Sequence, residues 1–182
     1  MSLLFDLTLV PVIVFLLPGF AMLVGCYSRW RQIPIEVLLA LAAGLSVAFY
    51  SLLFLFAKEF GIVISSSLLW VIYLAFLVWL LIARGKRFRE WKHDYRSRLW
   101  QILKNGSLSA IGLLIVGAAL LIVRFLAIRS LPLPMWGDSV HHTLIVQLLL
   151  ENGGLFDSWQ PYAEMQSMTY HFGFHATVAV YA

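Results

Sequence analysis

The chain has 182 residues, of which 62% are hydrophobic and 12% charged, with a net charge of +4 and a mean hydropathy of +0.88. An ordinary soluble domain carries roughly 25% charged residues, and near-uncharged runs of about 20 residues are long enough to cross a bilayer, so a soluble fold is excluded. The positive charge is no nucleic-acid footprint either: eight of the 13 Lys and Arg lie between Arg84 and Lys104 and none follows Arg129, which is the clustering of a topology signal.

The pattern predicts an all-α integral membrane protein with four transmembrane helices and the start of a fifth. The first span runs from about Leu3 to Tyr27, with Pro11 and Pro18-Gly19 as kinks that a membrane helix can absorb. Its end reads "LVGC", Leu23 to Cys26, which resembles a bacterial lipoprotein cleavage box. The start "MSLLFDLT" has no Lys or Arg, so the basic region of a signal peptide is missing, and a span ending in small residues is the plainer reading. With Cys26 alone, no intrachain disulfide and no cysteine-based zinc site can form. The second span runs from about Ile35 to Ala57 and ends at "KEFG". The third covers about Ile62 to Ala83, with Trp70 and Trp79 near its ends as interfacial anchors.

Then comes the basic stretch of residues 84–105, where Phe88, Trp91, Tyr95, Leu99 and Ile102 recur at helical spacing among cations. That predicts a basic cytoplasmic amphipathic helix on the anionic inner leaflet. The fourth span runs from about Ser107 to Ile128. Arg29, Arg31 and the Arg84–Lys104 cluster fall on one side of an even number of crossings, so both signals give the same orientation. The N-terminus and everything after Arg129 face outward, in a multi-pass protein of the plasma membrane. Residues 1–83 then form a three-helix membrane extension, and residues 106–182 the start of a core.

The outward segment carries Asp138, Glu151, Asp157 and Glu164 and no basic residue. Pro132 and Pro134 keep its first part extended, and Asp138 stands where a helix N-cap belongs, before a run ending in "ENGG" with Gly153 as C-cap. The helix between is too short to span. Val140, Leu144, Ile145, Leu148 and Leu149 give it an apolar face, so it should lie along the outer interface as a juxtamembrane helix.

Capping accounts for an aspartate but not for histidines, and four of the five histidines fall in this segment. Asp138 and His142 are four apart, as are His171 and His175, and such spacing lets two side chains reach one metal or one anion. Any one of these histidines is also compatible with an interfacial residue whose polar edge is wet. Two such pairings in one segment favour a shared site. Its ligands for a divalent metal ion would be Asp138, His142, His171 and His175. The loop "GLFDSWQPYAEMQSMTY" between the two halves adds aromatic rings and Glu164, and Tyr170 with His171 and His175 opens the next apolar helix. That helix stops in mid-run at Ala182, which predicts a natural chain running on.

An outgoing hydrophobic helix, then "GD", a His-containing juxtamembrane helix ending in Gly, then "PY" and "YHFGFH", resembles the C-type membrane glycosyltransferase superfamily, and within it bacterial and archaeal members. The resemblance covers about Ser107 to Ala182. It implies transfer of a sugar from a polyprenyl-phosphate donor to an acceptor on the outer face, with the lipid bilayer as the setting and no nucleic acid involved. It gives Asp138 the role of catalytic base or metal ligand. It sets His141, His142, Glu164, Tyr170, His171, His175 and Arg129 around donor and acceptor, with Arg129 and Arg124 near the leaving phosphate. From the residues alone a second class stays open: a non-enzymatic membrane subunit whose histidines bind a metal, a haem or a pigment. A transporter is disfavoured, because no broken-helix pair is evident.

Overall fold

A computed structural model describes residues 3–27, 33–84, 108–129, 137–166 and 171–182. Among the described residues there are six helices and no strand: α1 (Leu3–Cys26), α2 (Ile35–Glu59), α3 (Ser66–Arg84), α4 (Leu108–Ile128), α5 (Gly137–Asn152) and α6 (Gly173–Tyr181). The helices α1, α2 and α3 are long and apolar enough to cross a membrane. With 21 residues, α4 coincides with the fourth expected span and is about 31 Å long at a rise of ~1.5 Å per residue. The expected basic helix of residues 84–105, the segment of Pro132 and Pro134, and Tyr170 lie outside the described residues.

The chain divides into two compact units, one formed by Met1–Ala83 with His141–Ala182 and one by Arg84–Val140. In the second, α4 presents Ile115, Leu120, Leu121, Val123 and Leu126 outward, as a helix in lipid does.

In the first unit α1 and α2 are joined where α1 is weakest. Pro18 has no N–H, so the Val14 carbonyl one turn back has no helical donor. The Tyr50 hydroxyl of α2 donates to that carbonyl at 2.8 Å. With its one proton committed, Tyr50 accepts from the Tyr73 hydroxyl of α3 at 3.0 Å. The Gly19 N–H donates to Ser46 Oγ at 2.9 Å. Ser46 and Tyr50, both fully buried, are one turn apart on α2 and repair both sides of the kink. A Cβ on Gly19 would stand 1.9 Å from the Ala42 carbonyl oxygen, so only glycine permits this approach.

At the C-terminal end of α1, a Cβ on Gly25 would meet the Trp79 indole at 2.8 Å. The small residue before Cys26 therefore has a packing reason, and α1 continues as helix to Cys26 itself.

The helix α2 closes with Gly61 at φ 64°. The Ile62 N–H donates to the Ala57 carbonyl at 2.8 Å and the Gly61 N–H to that of Lys58 at 3.2 Å, the two bonds of a Schellman cap. The third helix starts later than the hydrophobic run suggests, at Ser66 and not Ile62, because Ser65 caps it: the Leu68 N–H donates to Ser65 Oγ at 3.2 Å. Residues 62–65 are thus left extended, and the Ile64 N–H donates to the Gly153 carbonyl at 2.7 Å. That bond ties the α2–α3 loop to the end of α5. The positive-inside reading assigns these two segments to the same face, and in the structure they meet.

Candidate functional site

The helix α5 begins at Gly137, so Asp138 lies inside its first turn and not on the cap. A carboxylate there still faces the positive end of the helix dipole. Asp138 is exposed and belongs to the Arg84–Val140 unit, as do Arg124 and Arg129, both also exposed. The far end of α5 matches the expected cap. Gly153 sits at φ 59°, and the N–H groups of Gly153 and Gly154 donate to the Leu150 and Leu149 carbonyls at 3.3 and 3.0 Å.

The apolar face of α5 does not rest on lipid as expected. Ile145, Leu148 and Leu149 are buried against Phe54 of α2, Ala176 and Ala179 of α6, and Phe156 and Trp159 of the following loop. Val140 alone of the expected stripe is exposed. The bundle end supplies the apolar partner because the loop folds back over α5. Within the loop the Trp159 N–H donates to the Met165 carbonyl at 2.9 Å, and the Tyr162 and Ala163 N–H groups donate to the Trp159 carbonyl at 2.9 and 3.0 Å. Lys58 of α2 pairs with Asp157. The Tyr162 hydroxyl and the Gln147 amide both donate to one oxygen of Glu151, at 2.9 and 2.7 Å. Those two donors, Gln147 first, hold the Glu151 carboxyl below its ordinary range. Glu164, expected near substrate, is exposed on this loop.

The histidines converge under this cover. His142 Nδ1 lies 2.8 Å from His175 Nε2, with the rings stacked at a centroid distance of 5.0 Å. His175 Nδ1 lies 2.9 Å from the His171 carbonyl oxygen. His175 is 2% exposed, His142 is half-buried and His171 exposed. His141 packs its ring on that of Trp159 at 4.8 Å. Of the expected cluster of Asp138, His142, His171 and His175, the structure brings His142 against His175, with the His171 main-chain carbonyl on the latter's Nδ1.

This arrangement is a hydrogen-bonded imidazole pair. Their 2.8 Å separation is a hydrogen-bond distance. Both ring nitrogens of His175 are engaged in such bonds. Among the described residues no group of three or more His, Cys, Asp or Glu is placed to hold a metal ion.

Sequence reasoning missed the Glu151 tether and the Lys58–Asp157 pair. The four-residue spacing of Gln147 and Glu151 was a signal for the first. Nothing local announces a pair 99 residues apart.

No curated protein and no solved structure matches the chain. Residues 12–182 match the family of unknown function DUF6541, and a match over so much of its length shows that the chain belongs to that family.

Proposed function

We infer that this protein is a membrane glycosyltransferase, or the N-terminal portion of one, that transfers a sugar from a polyprenyl-phosphate-linked donor to an acceptor on the outer face of the plasma membrane. The observation that carries the reading is the hydrogen-bonded His142–His175 pair, roofed by α5 and its loop at the end of a bundle of apolar helices. Ionisable groups at membrane depth are costly to retain, and a buried, oriented pair beside an amphipathic surface helix is what acid–base chemistry on a lipid-borne substrate needs. The order of signals from α4 to α6 supports the reading through its resemblance to the C-type superfamily.

In this reading four helices, α1 to α4, cross the membrane with the N-terminus outward, and α6 begins a fifth span. Asp138 removes the proton of the acceptor hydroxyl as its oxygen attacks the anomeric carbon. A sugar hydroxyl is a weak nucleophile at neutral pH, and a positioned base contributes roughly 10²–10⁴-fold. The bond from that carbon to the phosphate oxygen breaks, and the leaving lipid phosphate gains negative charge that Arg129 is suited to meet.

The test is Asp138→Asn in the complete natural protein, with turnover of a radiolabelled polyprenyl-phosphate sugar as the readout. Asn keeps the size and polarity of the side chain and gives up only its charge in the first helical turn, worth about 0.3–1 kcal/mol, so the variant should insert and purify normally while losing on the order of 10²-fold in rate. Asp138→Ala should lose the same rate and also about 0.3–1 kcal/mol of stability, from the charge removed at the helix start. An Asn variant that turns over donor at the natural rate would reduce Asp138 to a helix-start residue.

A further inference from the structure

The three membrane-length helices of the first unit leave a groove open between them. It runs along α1 from Val12 to Phe20 and along α3 from Trp70 to Leu77, with Leu39 and Ala42 of α2 completing its wall, and its volume is about 460 Å³. Two fixed points hold α3 at this spacing: the Tyr73 hydroxyl bonded to Tyr50 at 3.0 Å and the Trp79 indole seated on Gly25. The groove is therefore built into the unit. Protein does little to fill it, since 11% of the α3 span is buried against 28% for α1 and for α2. Its surface is carbon almost throughout, and the one hydroxyl on its lining, that of Tyr73, is engaged with Tyr50. An occupant gains dispersion contacts and no hydrogen bond, so it must be hydrocarbon.

We propose that this groove is a binding site for one acyl chain of a membrane phospholipid, which packs between α3 and its neighbours as part of the folded unit. Size decides the occupant. From Val12 to Phe20 the helix rises about 12 Å at ~1.5 Å per residue, the length of roughly ten carbons of extended chain at ~1.2 Å per bond. A methylene takes up about as much room as a water molecule, ~30 Å³, so the volume holds roughly fifteen carbons. A fatty acyl chain has that length and bulk. A transmembrane helix, about 11 Å across, would need roughly 1,100 Å³ over the same 12 Å. It would sit over the mouth and leave a void beneath it, which packed interiors do not tolerate. A polyprenyl tail is branched along its length and several times longer than the groove, so most of it would stay outside. In a membrane no hydrophobic force draws α3 to α1, and close packing has to hold them together. The bound chain supplies the contacts that α3 lacks. This site is independent of the transferase reading, and its test needs no turnover.

The experiment reconstitutes the protein in phosphatidylglycerol vesicles doped with polyprenyl phosphate, extracts it into mild detergent, washes it and weighs it by native mass spectrometry. The protein should retain one phosphatidylglycerol per chain. Val12 and Leu74 are exposed residues of the groove, and an indole at either position takes up its space. Val12→Trp and Leu74→Trp should each lose the lipid. Ile82→Trp, at an exposed position of α3 outside the groove, should keep it. A second measurement needs no variant: phosphatidylglycerol with a diazirine at the middle of one acyl chain, activated after the wash, should label Leu16 or Leu17 within the groove. Retention of polyprenyl phosphate in its place, no lipid after washing, or equal retention in all three variants would overturn the proposal. Label confined to residues outside the groove would do the same.

Discussion

Pro18 takes one amide proton away from α1, and Tyr50 and Ser46 answer for the consequence from the neighbouring helix. Inside a bilayer no water can satisfy a freed carbonyl, so the repair must come from protein. Removing the Tyr50 hydroxyl leaves both the Val14 carbonyl and the Tyr73 hydroxyl short of a partner. Tyr50→Phe should therefore cost about 0.6–2 kcal/mol, the range for interhelical hydrogen bonds in membranes. Unfolding by SDS in mixed micelles measures it, and an unchanged midpoint would show that the kink is satisfied otherwise.

At the scale of elements, two Schellman caps meet. The cap of α2 at Gly61 leads into the extended residues that bond to Gly153, which is the cap of α5. A Cβ on Gly153 would lie 2.5 Å from Val63 Cγ1, and its φ of 59° is unfavourable for any other residue. Gly153→Ala should destabilise by about 1–2 kcal/mol from the backbone alone. Hydrogen exchange should rise in residues 62–65 and 153–166 and leave α1 and α2 protected; uniform protection would contradict the joint. The extents of α1, α2 and α4 and the Gly153 cap were legible in the sequence, because they follow from unbroken apolar runs and from a glycine at a helix end. The start of α3 was misjudged because Ile62, Val63 and Ile64 continue the apolar run but form an extended loop, of which Ile64 packs against the core. The apolar stripe of α5 was read correctly as a stripe, but its partner was read as lipid. Only the fold-back of Phe156 and Trp159 reveals a protein partner. His142 and His175 were legible as candidates, yet 33 positions separate them, and no spacing rule distinguishes a direct hydrogen bond from a shared ligand.

For the whole molecule, the capped loop of α2 and the histidine cover share one end of the first unit, and the topology reading makes that end the outer face. A cysteine at Ser158, in a background where Cys26 is replaced by Ser, should react with an impermeant reagent added outside intact cells. One at Ser97 should react only after permeabilisation, and the reverse pattern would invert the protein. The most direct measurement for the transferase reading adds a labelled polyprenyl-phosphate sugar to membrane vesicles carrying the complete protein. Right-side-out vesicles should release free polyprenyl phosphate with transfer of label to an envelope acceptor, dependent on Asp138. Turnover confined to inside-out vesicles, or intact donor in both, would contradict an outward-facing glycosyltransferase.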